Sequence, residues 1–246
     1  MDQIANLGDV RQTFYCAYCG EATGTRDHVP SKILLDMPYL DNLPVVPACL
    51  RCNNGFSPDE EYFACLVACL KAGSFNIDLI ERESIKKILR YKSKLFLKIK
   101  DVFNQDLHLL EQELVKGLII YDINRLLNSD KRLLNVFYKL GKGYLAFKLN
   151  ALEYTQPTEE IFQLASLSDE DRGYFESIPE ISVCPEVGSR AMQRILIFDN
   201  GMAFIPWVTV QEGRYRYLAT FYGSEPIIKI VIDEFIGCEM RFTLDY

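Results

Sequence analysis

Eight cysteines occur in this chain of 246 residues, and four of them form two Cys-x-x-Cys pairs, Cys16 with Cys19 and Cys49 with Cys52. Two such pairs separated by a loop have the spacing by which two short knuckles present four thiolates tetrahedrally to one zinc ion. A four-thiolate site is closed to substrate, so this zinc would be structural and would fix a segment too loop-rich to fold on its own core. Any chemistry must then come from neighbouring side chains. Asp27-His28 lies between the pairs, and Asn53 follows the last cysteine. The chain has 2 histidines, and His28 is the one inside the cysteine module. An unperturbed imidazole titrates near neutrality and suits a general base, while a carboxylate and an amide oxygen are hard donors suited to Mg²⁺ or Mn²⁺. The plainer readings of His28 are an extra zinc-ribbon residue or a surface histidine.

In order, the segment runs Cys16-x-x-Cys19, Arg26-Asp27-His28-Val29-Pro30, Asn42-Leu43 and Cys49-x-x-Cys52-Asn53-Asn54. This pattern resembles the HNH endonuclease domain, the zinc-stapled form of the ββα-metal nucleases. The proline falls one place early, at Pro30, and Gly55-Phe56 stands where a basic residue often follows the last Cys-Asn of that family. The resemblance implies that His28 activates water, that Asp27 and Asn53 hold a catalytic Mg²⁺ or Mn²⁺, and that Asn42 braces the loop carrying the base. It also implies structural Zn²⁺ on the four cysteines and a nucleic-acid substrate, DNA before RNA. Hydrolysing a phosphodiester needs a base for water and positive charge at the phosphate, and these residue types can supply both.

Several elements must position these groups. Ser57-Pro58-Asp59-Glu60 reads as a capping box with proline at the first helical position, and Gly73 as the stop of that helix. Capping is the expected role of Glu60 and Glu61, with metal contact the alternative. Adjacent strand residues point to opposite faces, so Asp27 and His28 would need a twist or bulge to serve one site. Ile80 to Phe103 has a helical apolar stripe, with Lys86, Arg90, Lys94 and Lys98 along the opposite face and Glu83 as their one opposing charge. A basic ridge of this kind suits a phosphate backbone, and a solvated face is the ordinary alternative.

Further leucine-rich helices are expected at Leu107 to Leu114, Asp122 to Leu127 and Lys131 to Leu149, the last with a junction at Gly141-Lys142-Gly143. His108 reads as an ordinary helix histidine, and Cys65, Cys69, Cys184 and Cys238 as small core residues. Tyr154 to Ile181 reads as an acidic linker with a short helix from Thr158 to Leu164. Strands are expected at Arg194 to Phe198, Ala203 to Val210, Tyr215 to Tyr222, Ile227 to Asp233 and Glu239 to Leu244.

The expected class is α+β: a zinc-bound module over 1–75, a helical segment with the basic ridge over 76–150, and an acidic linker with an antiparallel β-rich region over 151–246. The net charge of −7 argues against tight, non-specific coating of DNA. No apolar run approaches a membrane span and the N-terminus lacks signal-peptide character, so a cytoplasmic protein with no membrane partner is expected. Together these readings describe a metal-dependent endonuclease, by analogy one of phage defence or mobile elements, whose C-terminal region selects a target or a protein partner. The alternatives are a non-catalytic zinc-binding interaction module and an RNase.

Overall fold

A computed structural model describes residues 13–106, 116–180, 197–199, 202–223 and 225–243. The two cysteine pairs flank a short antiparallel hairpin, β1 (Thr25–His28) and β2 (Val45–Ala48), in which Asp27 faces Val46 and His28 faces Val45 without a bulge. Helix α1 (Leu50–Ala72) follows at once. It begins seven residues before the capping box, because Cys49 is its N-cap and the Cys49 sulfur accepts the Cys52 amide proton. The second knuckle is thus the first turn of the helix, and Pro58 lies inside it. Gly73 closes α1 as expected, at φ +60 in the left-handed region that spares glycine a Cβ clash.

The stripe from Ile80 divides into α2 (Glu83–Tyr91) and α3 (Ser93–Asp106), parted at Lys92, whose φ of −106 and ψ of 69 leave the helical region. The chain continues through α4 (Lys116–Ser129) and α5 (Lys131–Tyr144). Gly141-Lys142-Gly143 is interior to α5 and the junction falls later, where a π turn runs from Leu145 to Leu149. Close packing explains the glycines. A Cβ on Gly141 would come within 2.6 Å of the Met240 sulfur, and one on Gly143 within 2.6 Å of a Val29 methyl carbon.

Thr158 to Gln163 is a strand, β3, and not the helix expected there. Its Ile161 and Phe162 are buried while Thr158 and Glu160 are exposed, and its backbone pairs along β9 (Ile236–Arg241). The acidic run instead opens the short helix α6 (Asp169–Glu176), where Asp169, Glu170 and Asp171 occupy the first turn behind the N-cap Ser168. Between α6 and β9 come β4 (Ile197–Asp199), β5 (Met202–Phe204), β6 (Val208–Gln211), β7 (Tyr215–Tyr222) and β8 (Glu225–Ile232). The strand expected from Ala203 to Val210 is therefore two, separated at Ile205-Pro206-Trp207, since proline gives a ladder no donor.

The larger sheet is antiparallel, in the order β3-β9-β8-β7-β6, and β4 pairs with β5 apart from it. Helix α5 is the bridge. Phe137 meets Phe63 of α1 edge to face at 5.3 Å, and Tyr144 stacks on Tyr217 of β7 at 3.8 Å between ring centres. One buried apolar cluster runs from Cys16 to Phe242 through the hairpin, α1 to α5 and the larger sheet, and a smaller one joins Phe175 of α6 to Phe162, Leu164 and Val231. Tyr215 and Tyr217 lie buried inside the first. Cys65, Cys69 and Cys238 are core residues as expected, and burial pushes the Cys65 and Cys69 thiols up to about 12, where they are inert. Leu107 to Leu114, His108 and Cys184 lie outside the described residues. No helix among the described residues is long and apolar enough to cross a membrane.

Candidate metal centre and the histidine beside it

The sulfurs of Cys16, Cys19, Cys49 and Cys52 all lie within 4.8 Å of one another. Those of Cys19 and Cys49 are 3.8 Å apart. A tetrahedron with Zn–S bonds of about 2.3 Å has an edge of about 3.8 Å, so four thiolates here fit one zinc ion. The backbone shapes the cluster. Cys16 donates its amide proton to the Glu21 carbonyl at 2.7 Å and its own carbonyl accepts that of Gly20, whose φ of +75 turns the knuckle. Hydrogen bonding, chiefly from the Cys52 amide at the head of α1, brings the Cys49 thiol down to about 7. The thiolate that a metal needs is correspondingly easier to form there.

Asp27 and His28 leave β1 on opposite faces. Asp27 points inward and is 7% exposed, and His28 is half-buried on the outer face, which it shares with the exposed Arg26. Burial, followed by the charge of Lys32, holds the His28 imidazole below its ordinary pKa, against a smaller opposing pull from Asp27. A shift in that direction favours the uncharged ring, the state a general base requires.

The inward face holds a cluster that sequence reasoning missed. Lys139 of α5 is 1% exposed, and its ammonium sits 2.8 Å from an Asp27 oxygen and hydrogen-bonds to Glu60 of α1. The Tyr18 hydroxyl donates to Asp27 at 3.0 Å, and the Ser31 hydroxyl donates to Glu60 at 2.9 Å. Burial and then the charge of Asp27 push the Tyr18 phenol well above its usual range, which keeps it a donor. Glu60 is therefore no helix cap, and neither is Glu61, which pairs with Lys92 at 2.8 Å. No local signal could have disclosed the cluster, because Lys139 lies 79 residues beyond Glu60.

The Asn53 amide nitrogen donates to the Thr25 hydroxyl at 3.1 Å and the Arg26 carbonyl at 3.2 Å, tying the first turn of α1 to β1. Asn42 is exposed in the turn before Leu43, and among the described residues its side chain makes no hydrogen bond to the loop. Of the donors named for a catalytic divalent ion, Asp27 does not fit it as arranged, because it already holds an ammonium. Asn53 commits its amide nitrogen, and not the amide oxygen that would meet a metal, to the hairpin.

The basic ridge is divided as well. Lys86 and Arg90 belong to α2, Lys94 and Lys98 to α3, and Glu83 is not their one counter-charge. Lys86 pairs with Glu83 at 2.8 Å and Arg90 with Asp78 at 2.7 Å. Arg82 leaves the surface altogether, donating to Asp36 and to the carbonyls of Ile33 and Leu35. Lys94 and Lys98 remain exposed.

Comparison of the chain with known protein families, with curated proteins and with solved structures found no match in any of the three.

Proposed function

We propose that this chain is a phosphodiesterase of the HNH type, an endonuclease with DNA as its favoured substrate. The observation that carries this reading is the half-buried His28 at the end of β1, in a hairpin-and-helix unit that also frames four clustered thiols. A ring nitrogen of His28 takes a proton from water as the oxygen attacks phosphorus, and the P–O bond to the departing sugar oxygen breaks. Arg26 shares the face of His28 and Lys32 lies close enough for its charge to reach the ring, so both are placed to attract a phosphate. Zinc on the four cysteines holds the hairpin against α1 and takes no part in the chemistry. A role in defence against phage or on mobile elements rests on the resemblance alone.

The test is nicking of supercoiled plasmid by the zinc-loaded protein in Mg²⁺ or Mn²⁺, alongside His28→Ala at equal zinc content. The expected result is nicking by the wild type and a loss of at least about 100-fold in the variant, the usual size of a lost general base. A second reading, a non-catalytic zinc module, is favoured by the ammonium of Lys139 on Asp27. Silence of both proteins on plasmid and on RNA would favour that reading or an enzyme that waits for a partner, whereas cleavage of RNA alone would make the chain an RNase.

A further inference from the structure

We infer that Lys139 is the resident cation of the hairpin-and-helix unit: its ammonium occupies the place between Asp27 and Glu60 that a divalent ion would take, and excludes that ion from the wild-type protein. The geometry is that of a filled coordination site. Two carboxylates from different elements, β1 and α1, converge on one buried charge, and each also accepts a hydrogen bond from a hydroxyl, Asp27 from Tyr18 and Glu60 from Ser31. All four groups offer oxygen, the donor that Mg²⁺ and Mn²⁺ prefer. A divalent ion would have to share the space with a fixed positive charge that is 1% exposed and enters from α5, an element packed into the common core. An ammonium has three donors and no coordination demand, so it can serve the two carboxylates without the waters that Mg²⁺ retains. The same arrangement locks α5 onto both sides of the His28 segment, through Asp27 before it and through Glu60 to Ser31 after it. Lys139 is therefore a positioning residue for that segment, too deeply buried to meet a substrate.

This inference concerns cation binding and stands whether or not the chain cuts nucleic acid. Its test is titration of the zinc-loaded full chain with Mn²⁺, followed by the free-ion signal in electron paramagnetic resonance and by thermal melting. Four proteins are compared: the wild type, Asp27→Asn, Lys139→Ala, and Lys139→Ala combined with Asp27→Asn. Wild type should show no Mn²⁺ bound in a way that Asp27→Asn abolishes, and no rise in Tm. Lys139→Ala should bind one Mn²⁺ per chain and regain several degrees of Tm on its addition, and the double variant should do neither. A wild-type site for one Mn²⁺ that disappears in Asp27→Asn would overturn the inference, and that measurement needs no Lys139 variant to fold. A folded Lys139→Ala that gains nothing from Mn²⁺ would overturn it equally.

Discussion

Two clusters of chemically demanding side chains meet at the N-terminal hairpin and α1, and they are assembled in opposite ways. The four cysteines come from two short knuckles within Cys16 to Cys52, and their sulfurs gather within 4.8 Å. The buried charges draw Asp27 and Glu60 from the same region but depend on Lys139, far along the chain in α5. The first cluster is made locally, by turns and by the head of a helix, and any cation it holds would come from solution. The second brings its own cation and exists only when the middle of the chain has folded onto the module. Local assembly can be carried in a short motif, whereas the distant kind makes the module part of a larger fold.

If that contrast holds, removing zinc should have the largest effect. Structural zinc contributes on the order of 10 kcal/mol to small domains that depend on it, more than the stability of most whole domains. Stripping the protein with a strong chelator, or replacing Cys49 with Ser, should unfold the hairpin and the first turns of α1, read by hydrogen exchange at Thr25 to His28. Because α1 continues into the shared core through Phe63, Leu66 and Leu70, exchange near its C-terminus should rise less. Unchanged exchange in β1 after verified zinc loss would mean that the thiols are only core residues.

The charge cluster should come next. Lys139→Met leaves Asp27 and Glu60 buried without their counter-ion, a change that costs about 3–5 kcal/mol in comparable sites. Neutralising all three groups together, with Asp27→Asn, Glu60→Gln and Lys139→Met, should recover most of that loss, since a buried ion pair is worth little over well-packed neutral groups. Denaturant melts of the two variants decide the point. Equal losses would show that packing of the lysine stem, and not charge, is what α5 contributes.

The same contrast explains how much was legible in the sequence. Cys-x-x-Cys spacing showed the four-cysteine cluster because its geometry is encoded within a few residues, and the alternating strands near the C-terminus were visible because turn residues such as Glu212-Gly213 bound them. The head of α1 was misplaced because Ser57-Pro58-Asp59-Glu60 imitates a helix start, while the true cap, Cys49, is a sulfur engaged through the knuckle. The Thr158 segment was misread because its strand identity comes from β9, more than 70 residues later. The ridge looked opposed by Glu83 alone because Asp78, which pairs with Arg90, lies on another element. For the candidate site, the inward aim of Asp27 follows from strand alternation, but what it meets there depended on a lysine that no local pattern marks.

The smallest expected effect concerns a tie of the distant kind placed nearer the surface. Asp36, in the loop after the His28 segment, accepts from Arg82 at 2.8 Å and from Arg214, just before β7, at 2.6 Å, and its backbone is held by the Gln211 side chain. Burial would raise its carboxyl pKa, but the Arg82 hydrogen bond and the charges of Arg82 and Arg214 outweigh burial and hold it below its ordinary value. A carboxyl lowered on folding binds a proton more weakly in the folded state than in the unfolded chain. Its contribution is therefore complete above the unfolded pKa and disappears as the pH falls through the lowered folded value. Asp36→Asn should lower stability by about 1 kcal/mol at pH 7, the scale of a charge-assisted hydrogen bond partly open to solvent. Its deficit relative to wild type should shrink as the pH drops below about 4, because the wild type then loses the same charge. Parallel melting curves for the two proteins between pH 7 and pH 3 would refute the ion pair as the tie between loop and sheet, and leave the Gln211 hydrogen bonds to the Asp36 backbone as what holds them.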